Sequence, residues 1–74
     1  AYIIHNPKKW EHLKERSCYN HNYYRNPETG EVILEVCDDD SWCDYYDEQG
    51  NFLGDCRWED ADWSGENDIT LSED

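Results

Sequence analysis

A chain of 74 residues with 19 carboxylates, only six lysines and arginines and a net charge of −13 is too acidic to bind nucleic acid or an anionic membrane directly. The charge is unevenly distributed. Residues 1–25 sum to +3, whereas residues 26–74 hold 17 carboxylates against Arg57 alone and sum to −16. The sequence has no apolar run of membrane-spanning length and no signal-peptide core, so it predicts a cytoplasmic protein.

The composition predicts one small folded domain with an aromatic core. Leu, Ile, Val and Phe total 11 residues, and four Trp and six Tyr raise the large apolar set to 21. A chain this short buries a modest fraction of its surface. We therefore expect marginal stability, and because the chain repels itself, stability should rise with salt.

The first predicted elements are a short strand at 1–4 and a helix from Asn6 to about Ser17. Asn6 suits the N-cap, and Pro7 suits the first helical position, where its missing N–H costs nothing. Trp10 and Leu13 share one face of this helix. Since that apolar stripe is thin, the helix is expected to pack on another element.

That element is predicted to be a three- or four-stranded antiparallel β-meander. The predicted strands are residues 19–25, 31–37, 42–47 and 52–58. An acidic stretch, residues 59–74, follows the last strand. Pro- and Gly-containing turns separate the strands. The predicted fold is α+β: a domain over 1–58, with its N-terminal helix packed on the meander, and an acidic C-terminal segment or tail over 59–74, in which 69–71 is an alternative short strand.

Turn lengths predict the register. A four-residue loop at 38–41 sets Cys37 opposite Trp42, and the next turn sets Asp47 opposite Phe52 and Cys43 opposite Cys56. The face that seats the helix then carries Val32, Leu34, Val36, Cys43, Tyr45, Phe52, Cys56 and Trp58. The opposite, acidic face carries Glu31, Glu35, Asp44, Asp55 and Arg57 around Ile33, Trp42, Tyr46 and Leu53.

The acidic face predicts a surface that imitates a phosphate backbone. Carboxylates two apart on a strand lie ~6.6–6.8 Å apart, and neighbouring strands ~4.8 Å apart, so a sheet can present a regular row of negative charge. Exposed Trp and Tyr side chains suit pockets that normally stack bases. The candidate partner-binding residues are Asp38, Asp39, Asp40, Trp42, Asp44, Tyr46, Asp47, Asp55, Glu59, Asp60, Asp62 and Trp63.

In its small size, its excess of Asp and Glu along predicted strands and its interleaved Tyr and Trp, the chain resembles the acidic DNA-mimic inhibitors that phages and mobile elements use against host defences, of the anti-CRISPR and anti-restriction type. The resemblance covers about residues 31–68. It implies a non-enzymatic inhibitor in the bacterial host cytoplasm whose partner is a basic nucleic-acid-binding protein, a nuclease or CRISPR effector. It implies no cofactor, no membrane and no direct binding to nucleic acid.

Two other interpretations stay open for the C-terminal segment. Residues Asp60, Asp62, Ser64 and Asp68, with Gly65 at the turn position, match the start of a calcium loop, although Leu71 stands where the bidentate Glu belongs. Alternatively, Trp58–Trp63 intersperses aromatics with acids, as in an antitoxin, an immunity protein or an acidic segment that docks in a basic groove of a partner protein.

Cysteines and histidines give weaker signals. Cys18, Cys37, Cys43 and Cys56 are interpreted as buried free thiols, with a disulfide such as Cys43–Cys56, or zinc, as alternatives. No histidine lies in a recognised catalytic motif and no Gly-rich phosphate loop is present. The sequence therefore predicts no enzyme activity.

Overall fold

The computed structural model describes residues 2–72. Ala1, in the first predicted strand, and Glu73 and Asp74, in the predicted acidic segment, lie outside the described residues. Seven strands form a five-stranded antiparallel sheet, in the order β2-β3-β4-β5-β6, and a two-stranded sheet of β1 and β7. The strands are β1 Tyr2–Ile4, β2 Glu11–His12, β3 His21–Arg25, β4 Val32–Cys37, β5 Trp42–Asp47, β6 Phe52–Arg57 and β7 Ile69–Leu71, with a 3-10 turn at Trp58–Asp60. None of the described helical residues forms a segment long and apolar enough to traverse a bilayer.

The predicted N-terminal helix over 6–17, and with it the α+β class, is wrong; the antiparallel sheet is confirmed. The chain is nearly all strand and turn, and its helical part is the single 3-10 turn. Within the predicted helix, Glu11–His12 instead forms β2 and adds a fifth strand to the sheet. Glu11 lies opposite Arg25, whose Nη2 contacts the two carboxylate oxygens at 2.6 and 2.7 Å.

Tertiary contacts of Asn6 and Trp10 explain why no helix forms. The side-chain amide of Asn6 donates to the backbone oxygens of Asp62 and Asn67 at 2.5 and 2.6 Å, so Asn6 anchors a distant loop and caps no helix. Trp10 is 3% exposed and packs edge-on against Trp63, with the two ring centroids 5.2 Å apart. Because helix propensity is weak without a broad apolar face, these contacts decide the path of the segment.

Aspartate side chains cap the two later hairpin turns. Asp38 Oδ1 accepts from the backbone N–H groups of Asp40 and Trp42 at 2.9 and 3.0 Å. The backbone N–H of Asp38 also donates to the carbonyl of Trp42, so the loop between them has three residues. Its last residue, Ser41, has φ 61°, the left-handed conformation that closes such a loop.

The next hairpin repeats this arrangement. Asp47 Oδ1 accepts from the backbone N–H groups of Gln49 and Asn51 at 2.9 and 2.8 Å, and Gly50 takes the left-handed position with φ 90°. The backbone N–H of Asp47 donates to the carbonyl of Asn51. An aspartate three residues before a left-handed residue is thus a repeated turn device in this chain.

The three-residue loop reverses the predicted faces of β4. Cys37 lies opposite Cys43, not Trp42, because the loop is one residue shorter than predicted. Side chains alternate along a strand, so this slip moves Ile33 and Glu35 from the predicted acidic face into the core. Both are fully buried. Val32, Leu34 and Val36 point to the other side.

In the last hairpin, the predicted pairing of Cys43 with Cys56 is confirmed, but Asp47 does not face Phe52. Phe52 lies opposite Tyr46, and a β-bulge then restores the register. The β5–β6 loop has an odd number of residues, which shifts the pairing by one residue from the predicted register. The extra residue in the bulge shifts the pairing back, so the predicted Cys43–Cys56 pair is correct. Phe52, predicted on the core face, is 48% exposed.

A buried carboxylate organises the core. Glu35 is 0% exposed; its Oε2 accepts from the Tyr45 hydroxyl at 2.6 Å and from Trp63 Nε1 at 3.3 Å, and its Oε1 accepts from the Asn22 amide at 3.3 Å. Burial, followed by the Glu35 charge, raises the pKa of Tyr45 far above its ordinary value, and the same causes raise the pKa of Tyr24 to about 12. Both phenols therefore keep their protons, and Tyr45 remains a donor to Glu35.

The two-stranded sheet covers this core. Ile4 of β1 and Ile69 and Leu71 of β7 are buried with Ile33 and Tyr45 in one cluster. The two sheets are joined by reciprocal backbone hydrogen bonds between Asp55 and Ser72, of 2.8 and 2.7 Å. The segment from 59 onward thus supplies part of the core through β7.

Three cysteines form a row across the core face of the sheet. Cys37, Cys43 and Cys56 are successive cross-strand partners on β4, β5 and β6. Cys37 and Cys43 form a disulfide, where free thiols were favoured from sequence, and the bond joins a different pair from the suggested Cys43–Cys56. Cys56 is a buried free thiol, and Cys18 is an exposed one.

Gly65 allows a matched test of how the loop before β7 packs on the N-terminal segment. A Cβ at Gly65 would lie 2.5 Å from backbone atoms of Lys8 and Lys9, whereas one at Gly50 would meet nothing within 4 Å, although both glycines have φ 90°. Gly50→Ala should cost about 1 kcal/mol for the left-handed backbone. Gly65→Ala should cost at least about 2 kcal/mol more, because packed backbone must move.

Urea denaturation of the two variants measures this difference. Equal destabilisation would show that the Lys8–Lys9 segment does not pack on Gly65 in solution.

The thiol pattern gives a second test, by alkylation and mass spectrometry without reductant. Cys18 should react in the folded protein, and Cys56 only on unfolding, because burial raises the pKa of its thiol and shields the sulfur. Cys37 and Cys43 should react only after reduction, which should cost about 2 kcal/mol of stability for a loop this short. Four alkylated thiols without reductant, or a Cys43–Cys56 crosslinked peptide, would contradict the structure.

Candidate protein-binding surface

Exposed aromatics and carboxylates meet at one end of the molecule, where the β4–β5 turn touches the 3-10 turn. The backbone N–H of Trp58 donates to the carbonyl of Ser41 at 2.7 Å. A groove of about 360 Å³ lies beside this contact and is lined by Asp40, Ser41, Arg57, Trp58 and Glu59. We call the surface formed by residues 38–40, Trp42 and 58–60 the acidic aromatic end.

The aromatic side chains of this surface are available to a partner. Trp58 is 59% exposed and Trp42 is 37% exposed. Arg57 is the nearest cation, and its guanidinium carbon lies 5.6 Å from the Trp42 ring centroid. Large aromatic side chains that stay exposed beside charged groups are typical anchors of protein interfaces.

The carboxylates of the acidic aromatic end are not neutralised by ion pairs within residues 2–72. The ion pairs found in that range lie elsewhere and use the cations of the N-terminal third. They are His5–Asp68, Lys8–Glu28, Arg16–Glu48 and Arg25–Glu11. The electrostatic field of this end is therefore strongly negative, and it favours association with a cationic surface.

The outer face of the five-stranded sheet continues this surface. Trp42, Asp44 and Tyr46 alternate on the outer side of β5, and Tyr46 contacts Phe52 edge-on at 5.6 Å. Directly opposite Asp44 on β6 lies Asp55, which is only 7% exposed. Burial, then the charges of Asp55 and Asp38, raises the pKa of Asp44.

The predicted site residues separate into those that face solvent near one another and those that do not. Asp39, Asp40, Trp42, Glu59 and Asp60 are exposed at the acidic aromatic end. Asp38 is exposed there too, but one of its oxygens caps the turn. Asp44 and Tyr46 are half-buried on the outer face.

Four predicted residues have other positions or roles, among them Asp62, whose carboxylate accepts hydrogen bonds from Ser64 and Asn67 in the loop before β7. Trp63 stacks on Tyr24 at 4.1 Å and donates to Glu35, so it belongs to the core's edge and is no exposed anchor. Asp47 caps the turn at the opposite end of β5, and hydrogen bonds with Asn51 lower its pKa. Asp55 is buried.

Trp58 is an exposed aromatic that the sequence argument assigned to the core face. It follows the last residue of β6 and begins the 3-10 turn, where alternation along the strand no longer applies. The two acids that follow Trp58 could have indicated its exposure, since Glu59 and Asp60 share its 3-10 turn and keep this stretch at the surface.

Within residues 2–72, Asp60, Asp62 and Asp68 do not form a close set of metal ligands, although Asp62 and Ser64 contact each other. Asp62 Oδ1 accepts from the backbone N–H and hydroxyl of Ser64, its Oδ2 accepts from Asn67, and these hydrogen bonds lower its pKa. The Asp68 carboxylate binds the backbone N–H of Asn6 and the ring of His5. Gly65 is explained by its close approach to the N-terminal segment rather than by a metal loop.

Within residues 2–72, one set of three potential metal ligands lies close together: Glu35, Cys37 and Cys43. The two sulfurs are joined in the disulfide and Glu35 accepts hydrogen bonds from Tyr45 and Trp63, so none of these atoms is free to bind a metal in this state. The comparisons with protein-family models, characterised proteins and solved structures found no match for this chain.

The Asp44–Asp55 pair predicts a pH-dependent gain in stability from Asp44→Asn. The raised pKa means that ionising Asp44 costs more free energy in the folded state than in the unfolded chain. This cost is absent below the unfolded-state pKa and is complete once the pH has risen through the folded-state pKa. Like charges directly opposite each other on adjacent strands cost up to about 1 kcal/mol. Asp44→Asn should therefore raise the melting temperature at neutral pH, and the gain should vanish in acid.

Asp39→Asn is the matched control, since it removes the same charge from an exposed loop residue. An equal gain in both variants, or a gain that persists in acid, would show that Asp44 and Asp55 do not repel each other.

Proposed function

We propose that this protein is a non-enzymatic inhibitor that occupies the basic nucleic-acid-binding surface of another protein. In this proposal it acts in the cytoplasm of a bacterial host, and its target is a nuclease or CRISPR effector of a defence system. The carboxylates of the acidic aromatic end substitute for phosphates, and Trp42 and Trp58 fill pockets that otherwise stack bases.

The observation that supports this proposal most directly is the combination of exposed tryptophans with carboxylates that have no ion-pair partner within the described residues. Asp39, Asp40, Glu59 and Asp60 surround Trp58 and Trp42, while the ion pairs of residues 2–72 lie away from this surface. A merely solubilising charge would not require two exposed indoles at its centre. An anionic surface with aromatic anchors matches a cationic channel with stacking pockets.

Rigid presentation also supports the proposal. Asp38 fixes the β4–β5 turn through two hydrogen bonds, and the Ser41–Trp58 hydrogen bond ties that turn to the 3-10 turn. A surface held in this way loses little conformational entropy on binding, which favours tight association.

Capture from bacterial lysate with the immobilised full chain tests the proposal. Captured proteins should bind nucleic acid, should elute as salt rises and should be displaced by duplex DNA. The chain should inhibit DNA binding by each purified target. Trp58→Ala should weaken capture by about 30-fold, which corresponds to the ~2 kcal/mol of an interface hot spot.

Charge-matched double variants identify the surface. Asp39→Asn with Asp40→Asn changes the acidic aromatic end, and Glu15→Gln with Glu66→Gln removes the same charge from exposed residues elsewhere. The first pair should reduce capture strongly and the second slightly. Equal losses would show a response to net charge alone. A salt-resistant partner that ignores DNA would replace the proposal with the antitoxin- or immunity-like alternative.

A further inference from the structure

On the outer face of the sheet, Asp44 and Asp55 form a pair of carboxylates without a cation in an ion pair with them among residues 2–72. The two carboxylates lie on directly paired residues of β5 and β6, and Asp55 Oδ1 is buried and has no hydrogen-bond partner among residues 2–72. A buried polar atom without a partner costs about 1–3 kcal/mol. Two like charges opposite each other add to this cost, so the free protein carries an unfavourable local interaction that a bound cation would relieve.

Among residues 2–72, no cationic side chain forms an ion pair with Asp44 or Asp55. Arg57 lies on the same face, two residues after Asp55, but its guanidinium lies over the ring of Trp42 and forms none of the ion pairs found within residues 2–72. His21 is two strands away, across Val36. The third nearby charge, Asp38, is again negative.

The surroundings of the pair select the kind of cation. Trp42 and Tyr46 flank Asp44 on the outer side of β5, at ~6.6–6.8 Å of strand length on either side. A planar guanidinium can stack on such rings while its several N–H groups bridge two carboxylates, and it is more weakly hydrated than an ammonium group. A hard metal ion instead needs six or more oxygen ligands, and no third His, Cys, Asp or Glu ligand joins the pair within residues 2–72.

We propose that Asp44 and Asp55 form a receptor for one guanidinium group, supplied by an arginine of the partner's basic surface. That the arginine belongs to a partner rests on the proposed function; that the pair binds a guanidinium does not. Asp55 provides the buried carboxylate and Asp44 the half-buried one, while Trp42 and Tyr46 provide the aromatic walls. The other carboxylates of the acidic aromatic end act at longer range and steer the encounter.

The test uses N-acetyl-arginine amide as the probe, with NMR detection of the side-chain carboxyl carbons of the full chain. At constant ionic strength, millimolar probe should shift the signals of Asp44 and Asp55 and lower the pKa of Asp44, because a bound cation favours the ionised form. N-acetyl-lysine amide and calcium chloride should each produce a smaller shift at the same sites.

Variants make the result specific. Asp44→Asn should weaken probe binding at least about tenfold, as expected when one partner of a partly buried charge pair is removed. Glu66→Gln removes one negative charge from an exposed residue outside the acidic aromatic end and should leave binding nearly unchanged. Because Asp44 is half-buried, its variant is expected to fold; Asp55→Asn, at a buried position, is a supporting variant only.

The outcomes separate this proposal from the proposed function. If the probe leaves the signals and the pKa of Asp44 unchanged, the pair does not bind a guanidinium. Equal losses of probe binding in Glu66→Gln and Asp44→Asn would show non-specific attraction. Either result overturns the receptor. Stronger shifts with calcium would also overturn it, in favour of a metal site. If the probe binds but no nucleic-acid-binding protein is captured from lysate, the receptor stands and the DNA-mimic function fails.

Discussion

The fold depends on a carboxylate that lies inside the sheet without a cationic partner. Glu35 on β4 accepts hydrogen bonds from Asn22 on β3, Tyr45 on β5 and Trp63 in the segment before β7. One side chain thus connects three neighbouring strands to the C-terminal segment. A buried carboxylate without such donors would strongly destabilise the folded state. The fold therefore requires Glu35 and its hydrogen-bond donors to be in position at the same time. This requirement fixes the register of β4, since a slip by one residue would place Glu35 in solvent and leave the buried Tyr45 hydroxyl without its acceptor.

The abundant carboxylates have three distinct roles. Asp38, Asp47 and Asp62 accept hydrogen bonds from turn backbone, and their negative charge is partly used in shaping loops. Glu11, Glu28, Glu48 and Asp68 pair with cations or with histidine. Of the remaining exposed acids, Asp39, Asp40, Glu59 and Asp60 belong to the acidic aromatic end, and this is the part of the charge that folding does not explain. The sequence alone does not distinguish these three roles of the acidic residues. The hydrogen bonds and ion pairs of the structure show which role each residue has.

Sequence patterns predicted the strands well and the register partly. Alternation and turn residues located β3 to β6 within two residues at each end, because strand length and turn chemistry are local properties. The helix prediction relied on Asn6 and Pro7, whose local preferences were overridden by contacts with residues 62 and 67. The parity of the β4–β5 loop depends on Ser41 adopting a left-handed backbone, a conformation that Gly or Asn takes far more readily, so composition did not reveal it. The pairing of Asp44 with Asp55 follows from the predicted pairing of Cys43 with Cys56, whereas the burial of Asp55 could not be predicted, because it depends on tertiary packing.

The antiparallel pairing of β1 with β7 has a consequence for how the chain acquires its structure. Tyr2 lies opposite Leu71 and Ile4 opposite Ile69, and these strands cover the core formed by the five-stranded sheet. When only the first sixty residues have emerged from the ribosome, β7 is missing and the core face of the five-stranded sheet is still exposed to solvent. Contacts between residues so distant in sequence form late, and folding finishes after residue 72 has left the exit tunnel. The net charge of −13 makes chains that have not yet formed this pairing repel one another, which disfavours their association through the uncovered core.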